Sequence, residues 1–270
     1  MPLVIVTLSR GDAPRLAEWV TYHARLGFEE FHVILDGLID DSDEVLASLD
    51  VGARLVVHRR PEEGVYLDGL TPGERAAAVR RWREENADML ATLPHKAVDP
   101  IALRQRQRIP PVLEQVTEGR RGWVSFIDAD EFIHLPDGGS VRDLTRAATA
   151  PRLQLYSFDV DTTGHDPARP VLEQHTVRWS REDVEAHPDG RWATRVKSIV
   201  RFRAALPFKS IHRISIGRHQ KVDPEDGRLH HFRVPLQPID PPIPYTVVDP
   251  ITMPRAEPPL SGGSAPHARR

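Results

Sequence analysis

Gly122 to Pro136 reads GWVSFIDADEFIHLP, an apolar run that ends in three carboxylates within four residues: Asp128, Asp130 and Glu131. Apolar residues resume at once with Phe132 and Ile133. A carboxylate at the edge of a core is costly unless it is paired, hydrogen-bonded or bound to a cation. In an extended segment Asp128 and Asp130 point the same way, because side chains alternate with period two. A divalent cation beside them turns their repulsion into binding. The competing reading is that a strand ends at Asp128 and the acids are solvated.

The flanking sequence predicts the elements that must position these acids. Leu3 to Leu8 reads as a buried strand. Asp12 is placed to cap a helix with Pro14 in its first turn, and Leu16, Trp19, Val20, His23 and Ala24 follow at helical spacing. Gly27 is a C-terminal stop. Phe31 to Leu35 is a second strand that ends at Asp36 and Gly37, Asp41 and Glu44 suit a capping arrangement, and Leu55 to His58 is a third strand. Strands separated by helices imply an α/β fold with a mostly parallel sheet in this half. Ligands of such sheets gather at the carboxyl ends of the strands. Ser9 to Gly11, Asp36 to Gly37 and Asp128 to Asp130 all fall at such ends and are expected in one crevice.

Thr71, Pro72 and Glu74 open a helix, and Ile101 to Glu118 predicts another, interrupted or delayed by Pro110 and Pro111. Past the acids the pattern changes. Leu153 to Phe158, Val196 to Phe202 and Ile211 to Ile216 read as strands of a mixed or antiparallel half. Ten of the 25 prolines lie from Pro235 onward, so that segment reads as an extended tail, disordered near its end. The expected division is one domain over 1–234, with halves at 1–135 and 136–234, and a Pro-rich tail over 235–270.

Of the 270 residues, 40% are hydrophobic, enough for a sizeable core. A net charge of −3 gives no general reason to expect nucleic-acid binding. The absence of cysteine excludes disulfides, thiolate metal sites and cysteine nucleophiles, and suits a reducing compartment. The 13 histidines form no metal-binding signature such as HExxH. No signal peptide and no apolar run long enough to span a membrane is apparent, so the expectation is a soluble cytoplasmic protein.

Four patterns, in order along residues 3 to 233, carry a resemblance. They are VTLSRGDAPRLAEWVTYHARLGF, FHVILDG, RQRQR ahead of GWVSFIDADEF, and RVKSIVRF followed by His212 and LHHFR. Together they resemble the family 2-like and family 92-like glycosyltransferases. Asp36 is followed by GLIDDSD rather than an Asn-rich turn, and Phe202 stands where those families tend to have Pro.

The resemblance implies a GT-A fold, with a nucleotide-binding parallel half and a mixed acceptor half. The implied reaction is metal-dependent transfer of a sugar from a nucleotide-diphosphate donor to a glycan or other hydroxyl acceptor. A Mn²⁺ or Mg²⁺ ion is then expected on Asp128 and Asp130, with Asp130 the firmer ligand and His231 the third; His230 and His212 compete for that place. Lys197 is expected to face the diphosphate, and Asp36, with Ser9 and Asp128, the nucleoside. Asp161, Asp159 and Glu131 are the candidates for the base that takes the acceptor proton. Trp19, Tyr22 and His23 read as packing, and RQRQR as a solvated helix face with one or two inward contacts. Two alternatives remain: a non-catalytic GT-A-like protein that binds a nucleotide or glycan, and a DxD metal-dependent phosphohydrolase.

Overall fold

Leu3 to Ser9 forms the first strand, β1, and alternates its side chains between two buried faces. Leu3 and Ile5 join one apolar cluster, Val4 and Val6 the other. A strand buried on both faces lies mid-sheet with helices on either side. The computed structural model that shows this describes residues 1–93, 99–203, 206, 208, 211, 217–236 and 239–255.

The chain runs through α1 (Ala13–Arg25), β2 (Glu30–Asp36), α2 (Ser42–Ala47), β3 (Arg54–Arg60), α3 (Pro72–Glu85), α4 (Ala87–Thr92) and α5 (Pro100–Thr117). It then enters β4 (Arg121–Phe126), β5 (Glu131–His134), α6 (Val141–Arg146), β6 (Arg152–Asp159), α7 (Val171–Gln174), β7 (Val177–Trp179) and α8 (Arg181–Ala186). The last strands are β8 (Val196–Arg203), β9 (Gln220–Lys221), β10 (Arg228–His231) and β11 (Tyr245–Val248).

The main sheet has nine strands in the order β3-β2-β1-β4-β8-β6-β10-β5, with β9 beside β6. β3, β2, β1 and β4 are parallel, and β8 runs antiparallel to both β4 and β6. The fold is therefore mixed α/β on one continuous sheet. β5, counted by sequence with the first half, pairs with β10 in the second. Leu16, Trp19 and Val20 of α1 pack on one face of the sheet, and Ile109, Val112, Leu113 and Val116 of α5 on the other. The chain leaves β1 toward β2 on one side and returns to β4 on the other. The carboxyl ends of β1 and β4 thus form a topological switch point, the place where such sheets open a crevice.

Several local expectations change in the structure. Asp12 makes no cap bond to α1, because its backbone is not extended; its Oδ2 instead accepts from Ser9 Oγ at 2.8 Å and Arg10 N at 3.2 Å. Asp41 likewise caps nothing. Asp40 does both jobs, accepting from Ala13 N at 2.8 Å and from Ser42 Oγ at 2.5 Å, so one carboxylate ties together the starts of α1 and α2. The capping box of Thr71 and Glu74 forms as expected. Pro110 and Pro111 do not interrupt α5. An interior proline costs about 3 kcal/mol, and burying each large apolar side chain of the inward face returns roughly 1.5–3 kcal/mol.

The strand expected over 211–216 falls, apart from Ile211, outside the described residues. Residues 239–255 are built into the fold rather than extended away from it. β11 pairs antiparallel with β7, and Ile243 and Ile251 are buried. Asp249 is gripped by Arg178, by Arg228 through two bonds of 2.6 and 2.7 Å, and by His230 at 3.0 Å. The proline count hid a short alternating strand, Tyr245 to Val248.

Candidate active site at the end of strand β4

β4 delivers the chain to the switch point, where it turns rather than staying extended. Glu131 N donates to Asp128 O at 3.0 Å, and Asp128 N donates to the Glu131 carboxylate at 3.0 Å. Asp128 and Asp130 therefore do not share one pleat direction; each takes its own partner. Lys197 Nζ lies 2.7 Å from Asp128 Oδ2 and 2.8 Å from Glu131 Oε2. His231 Nε2 lies 3.2 Å from Asp130 Oδ2. The Lys197 ammonium is buried, and Asp128 is the more open partner at 34% exposed.

α1 fixes the turn from behind. Trp19 Nε1 donates to Glu131 O at 2.8 Å and Tyr22 Oη to Ile133 O at 2.7 Å. His23 donates from Nδ1 to Trp19 O at 2.9 Å, which leaves Nε2 to accept from Ile133 N at 3.3 Å. Complete burial pushes the His23 pKa down to about 3, so the ring stays neutral. Glu18 accepts from Val171 N at 2.7 Å and Leu172 N at 3.1 Å at the start of α7. The EWxxYH segment is packing, as expected, and its polar atoms hold the backbone that carries the acids.

A second tier surrounds His231. Asp159 Oδ1 is 3.3 Å from its Nδ1, Arg195 Nη2 is 2.8 Å from the same nitrogen, and Glu131 Oε1 is 4.0 Å away. Asp159 also binds Arg195 at 2.7 Å and Arg233 at 3.2 Å. Burial opposes a charge on His231, but Asp130 and Asp159 outweigh it and raise its pKa to about 9. The Arg195 contact makes the opposite demand, for a lone pair on Nδ1. The ring thus stands between a cationic and a neutral state, and its neighbours decide which. Burial alone would raise Asp159; its cationic neighbours hold it well below the usual carboxylate range. Burial raises Glu131 despite Lys197, and Asp128 and Asp130 add to the rise. Lys197 is raised because Asp128 and Glu131 outweigh its own desolvation.

A recess of about 200 Å³ opens here, lined by Asp128, Glu131, Lys197, His231, Arg195 and Arg233 among others. Burial raises the Asp12 carboxyl to about 6, with the Asp130 charge adding to the rise and Arg15 opposing it. The structure places five of the expected residues together: Asp128, Asp130, Glu131, Lys197 and His231, with Asp159 behind them. His230 points the other way, onto Asp249, as strand alternation requires. His212 lies outside the described residues.

Three expected residues are engaged elsewhere. Asp161 accepts from Thr163 N at 3.0 Å and Oγ1 at 2.6 Å, in a turn after β6 and outside the lining of the recess. Ser9 donates to Asp12. Asp36 is buried, with Arg104 Nε at 2.6 Å, Tyr66 Oη at 3.3 Å and Arg108 Nε at 3.5 Å. Arg104 and Arg108 are the inward contacts expected of RQRQR. Tyr66 lies between the Arg10 and Arg104 guanidinium groups, at 3.7 and 4.1 Å. Arg10 also holds Glu62 at 2.8 Å and Asp68 at 2.6 Å. The segment from Glu62 to Asp68 is thereby strapped across the ends of β1 and β2.

Arg195 and Arg233 were not anticipated from the sequence. Each stands two residues from an expected site residue, in RVK and HFR, so period-two alternation was the available signal.

A divalent ion can be tested against this donor set. Asp130 and His231 bring one carboxylate and one imidazole within 3.2 Å. Among the described residues no group of three or more His, Asp or Glu side chains is arranged to hold a metal. The Asp130 carboxylate suits Mg²⁺ or Mn²⁺, whose other ligands would be phosphate oxygens and water, whereas an imidazole is more usual on softer ions.

The sequence model described as glycosyltransferase family 92 matches residues 118–255. A glycosyltransferase family 92 protein of Ricinus communis is 27% identical over 183 residues, which cover 65% of this chain and 26% of that protein. Another from Oryza sativa subsp. japonica is 25% identical over 211 residues, covering 76% and 28%. The chain spans about a quarter of the length of these curated relatives. Among solved structures, S. aureus TarS aligns at 13% identity and a TM-score of 0.33 over 67% of this chain and 25% of its own. TarS 1–349 in complex with UDP aligns at 14% and 0.33, over 67% and 41%. Among the described residues, no helix is long and apolar enough to cross a membrane.

Proposed function

The chain belongs to glycosyltransferase family 92, and we propose that it transfers a sugar from a nucleotide-diphosphate donor to a hydroxyl acceptor at the end of β4. The fold is then a GT-A one, with the β3-β2-β1-β4 half serving the nucleotide. The observation that carries the reading is the recess in which Asp128, Glu131 and His231 face Lys197, Arg195 and Arg233.

In the transfer the acceptor oxygen bonds the anomeric carbon and the bond from that carbon to the diphosphate breaks. The nucleoside diphosphate leaves with the electron pair, and the acceptor proton passes to a carboxylate. Charge grows on the leaving oxygen, so fixed positive groups aimed there favour the transition state. Lys197 is such a group: it is buried, charged and held in place by two acids. Glu131 is the better base than Asp159: Lys197 and Asp128 N take its Oε2 and leave Oε1, 4.0 Å from His231, to receive a proton, and burial raises its pKa, whereas three cationic groups hold Asp159 ionised.

Four carboxylates, Asp128, Asp130, Glu131 and Asp159, already balance Lys197, Arg195, Arg233 and a protonated His231. A diphosphate adds negative charge that this cluster does not offset. When bound with the donor, Mg²⁺ or Mn²⁺ would supply that positive charge as a Lewis acid. Asp130 and His231 would hold it, with His231 then neutral and its Nε2 lone pair free for the ion. The test is release of nucleoside diphosphate from a panel of nucleotide sugars with Mn²⁺. Release from one donor supports the reading, and silence across the panel contradicts it.

A further inference from the structure

A larger recess, about 390 Å³, adjoins the first and shares Arg195 and Val196 with it. Gln154 and Tyr156 reach it from one face of β6, Lys221 from β9, and Arg191 and Arg195 from the segment before β8. Three of its lining residues are cations, and among the described residues no acid lines it.

The cations are arranged around aromatic rings. Lys221 Nζ and the Arg181 guanidinium each lie 5.7 Å from the Tyr156 ring. Arg191 and Arg195 lie 5.0 and 5.3 Å from Trp192. Arg191 is paired with Asp189 at 2.5 Å, but that pair is largely exposed. Exposed pairs contribute at most about 1 kcal/mol, so a ligand oxyanion can displace Asp189. A guanidinium fork matches carboxylate, sulfate and phosphate oxygens in two-point contacts. A Tyr face adds apolar contact with a polar tip.

We propose that this recess is the acceptor subsite and that it selects an acceptor sugar bearing an oxyanion, held by Arg191 and Lys221 against Tyr156. This rests on the transfer reading, because it is the junction at Arg195 that lets an acceptor here reach the anomeric carbon. A neutral glycan gains nothing from three cations whose solvation it disturbs, whereas a charged one replaces that solvation with charge-assisted bonds.

The test is calorimetric binding of tetragalacturonate and of its fully methyl-esterified form, the same chain without charge. A sulfated tetrasaccharide and a sugar phosphate serve as parallel arms to separate carboxylate, sulfate and phosphate recognition. The charged chain is expected to bind roughly tenfold tighter than the ester, and the preference should shrink as salt rises. The Arg191→Ala/Lys221→Ala variant should lose the preference, with a melting curve to confirm that it is folded; Lys221→Glu gives a second, charge-reversing variant. Equal affinity for every charged probe and the ester, or a preference that survives both variants, overturns the proposal. Donor turnover by the wild-type protein is scored separately, so a failed transfer reading shows as absent turnover whatever the tetrasaccharides do.

Discussion

Trp19 donates its indole N–H to the backbone carbonyl of Glu131 at 2.8 Å, across 112 positions of sequence. The bond joins two of the four segments that carry the family resemblance and gives them one physical purpose. The helix that follows β1 holds the backbone of the acidic turn, so Glu131 is fixed at both its carbonyl and its carboxylate. Trp19→Phe keeps the packing but orphans a buried carbonyl, which costs about 1–3 kcal/mol. Chemical denaturation should show that loss, and donor turnover should fall with it. A variant as stable and as active as the parent removes the clamp from the account.

Lys197 stands between two acids with its ammonium buried. Lys197→Met leaves Glu131 buried without its charge partner, and such losses run to about 3–5 kcal/mol. Adding Glu131→Gln should restore much of the stability but not turnover. If the double variant is no more stable than Lys197→Met alone, the pair is not the source of the loss.

His231 makes the site sensitive to alkaline pH. Its folded pKa of about 9 exceeds the ordinary value near 6.5, so the folded state binds the proton more tightly. That stabilisation is fully present below about pH 6.5 and is lost as pH rises through 9. Up to about 3 kcal/mol is at stake. Unfolding measured from pH 6 to 10 should show the decline, and His231→Gln should flatten it. An unchanged profile in the variant places the titration elsewhere.

How far the sequence could be read is clearest at particular residues. β1, α1, β2 and β4 were legible because apolar period and end signals agree there. The resemblance marks Lys197 and His231, whereas only period-two alternation points to their neighbours Arg195 and Arg233. At Asp36 local pattern falls short for a different reason. Its position at a strand end suits a ligand, but its partners Arg104 and Tyr66 come from distant segments that no local pattern connects to it. The strand Tyr245 to Val248 was lost among prolines, because composition outweighed a four-residue alternation.

Asp249 anchors that strand to the sheet through Arg178, Arg228 and His230. Burial favours a neutral carboxyl, yet these partners hold its pKa well below the usual carboxylate range. Asp249→Asn leaves two largely buried arginines short of charge and should destabilise the protein by about 3 kcal/mol or more. Limited proteolysis should then cut first near 239–255. Protection equal to the parent's would mean that Asp249 is not what holds the segment.

In the proposed transfer, Asp130 and His231 meet a divalent ion that arrives with an anionic donor. The decisive measurement is nucleoside diphosphate release from the preferred nucleotide sugar, titrated with Mn²⁺, in the parent protein and in Asp130→Asn. Metal-dependent release in the parent, and a loss of at least about a hundredfold in a folded variant, is the expected result. Release that ignores Mn²⁺, or that survives the substitution, contradicts it.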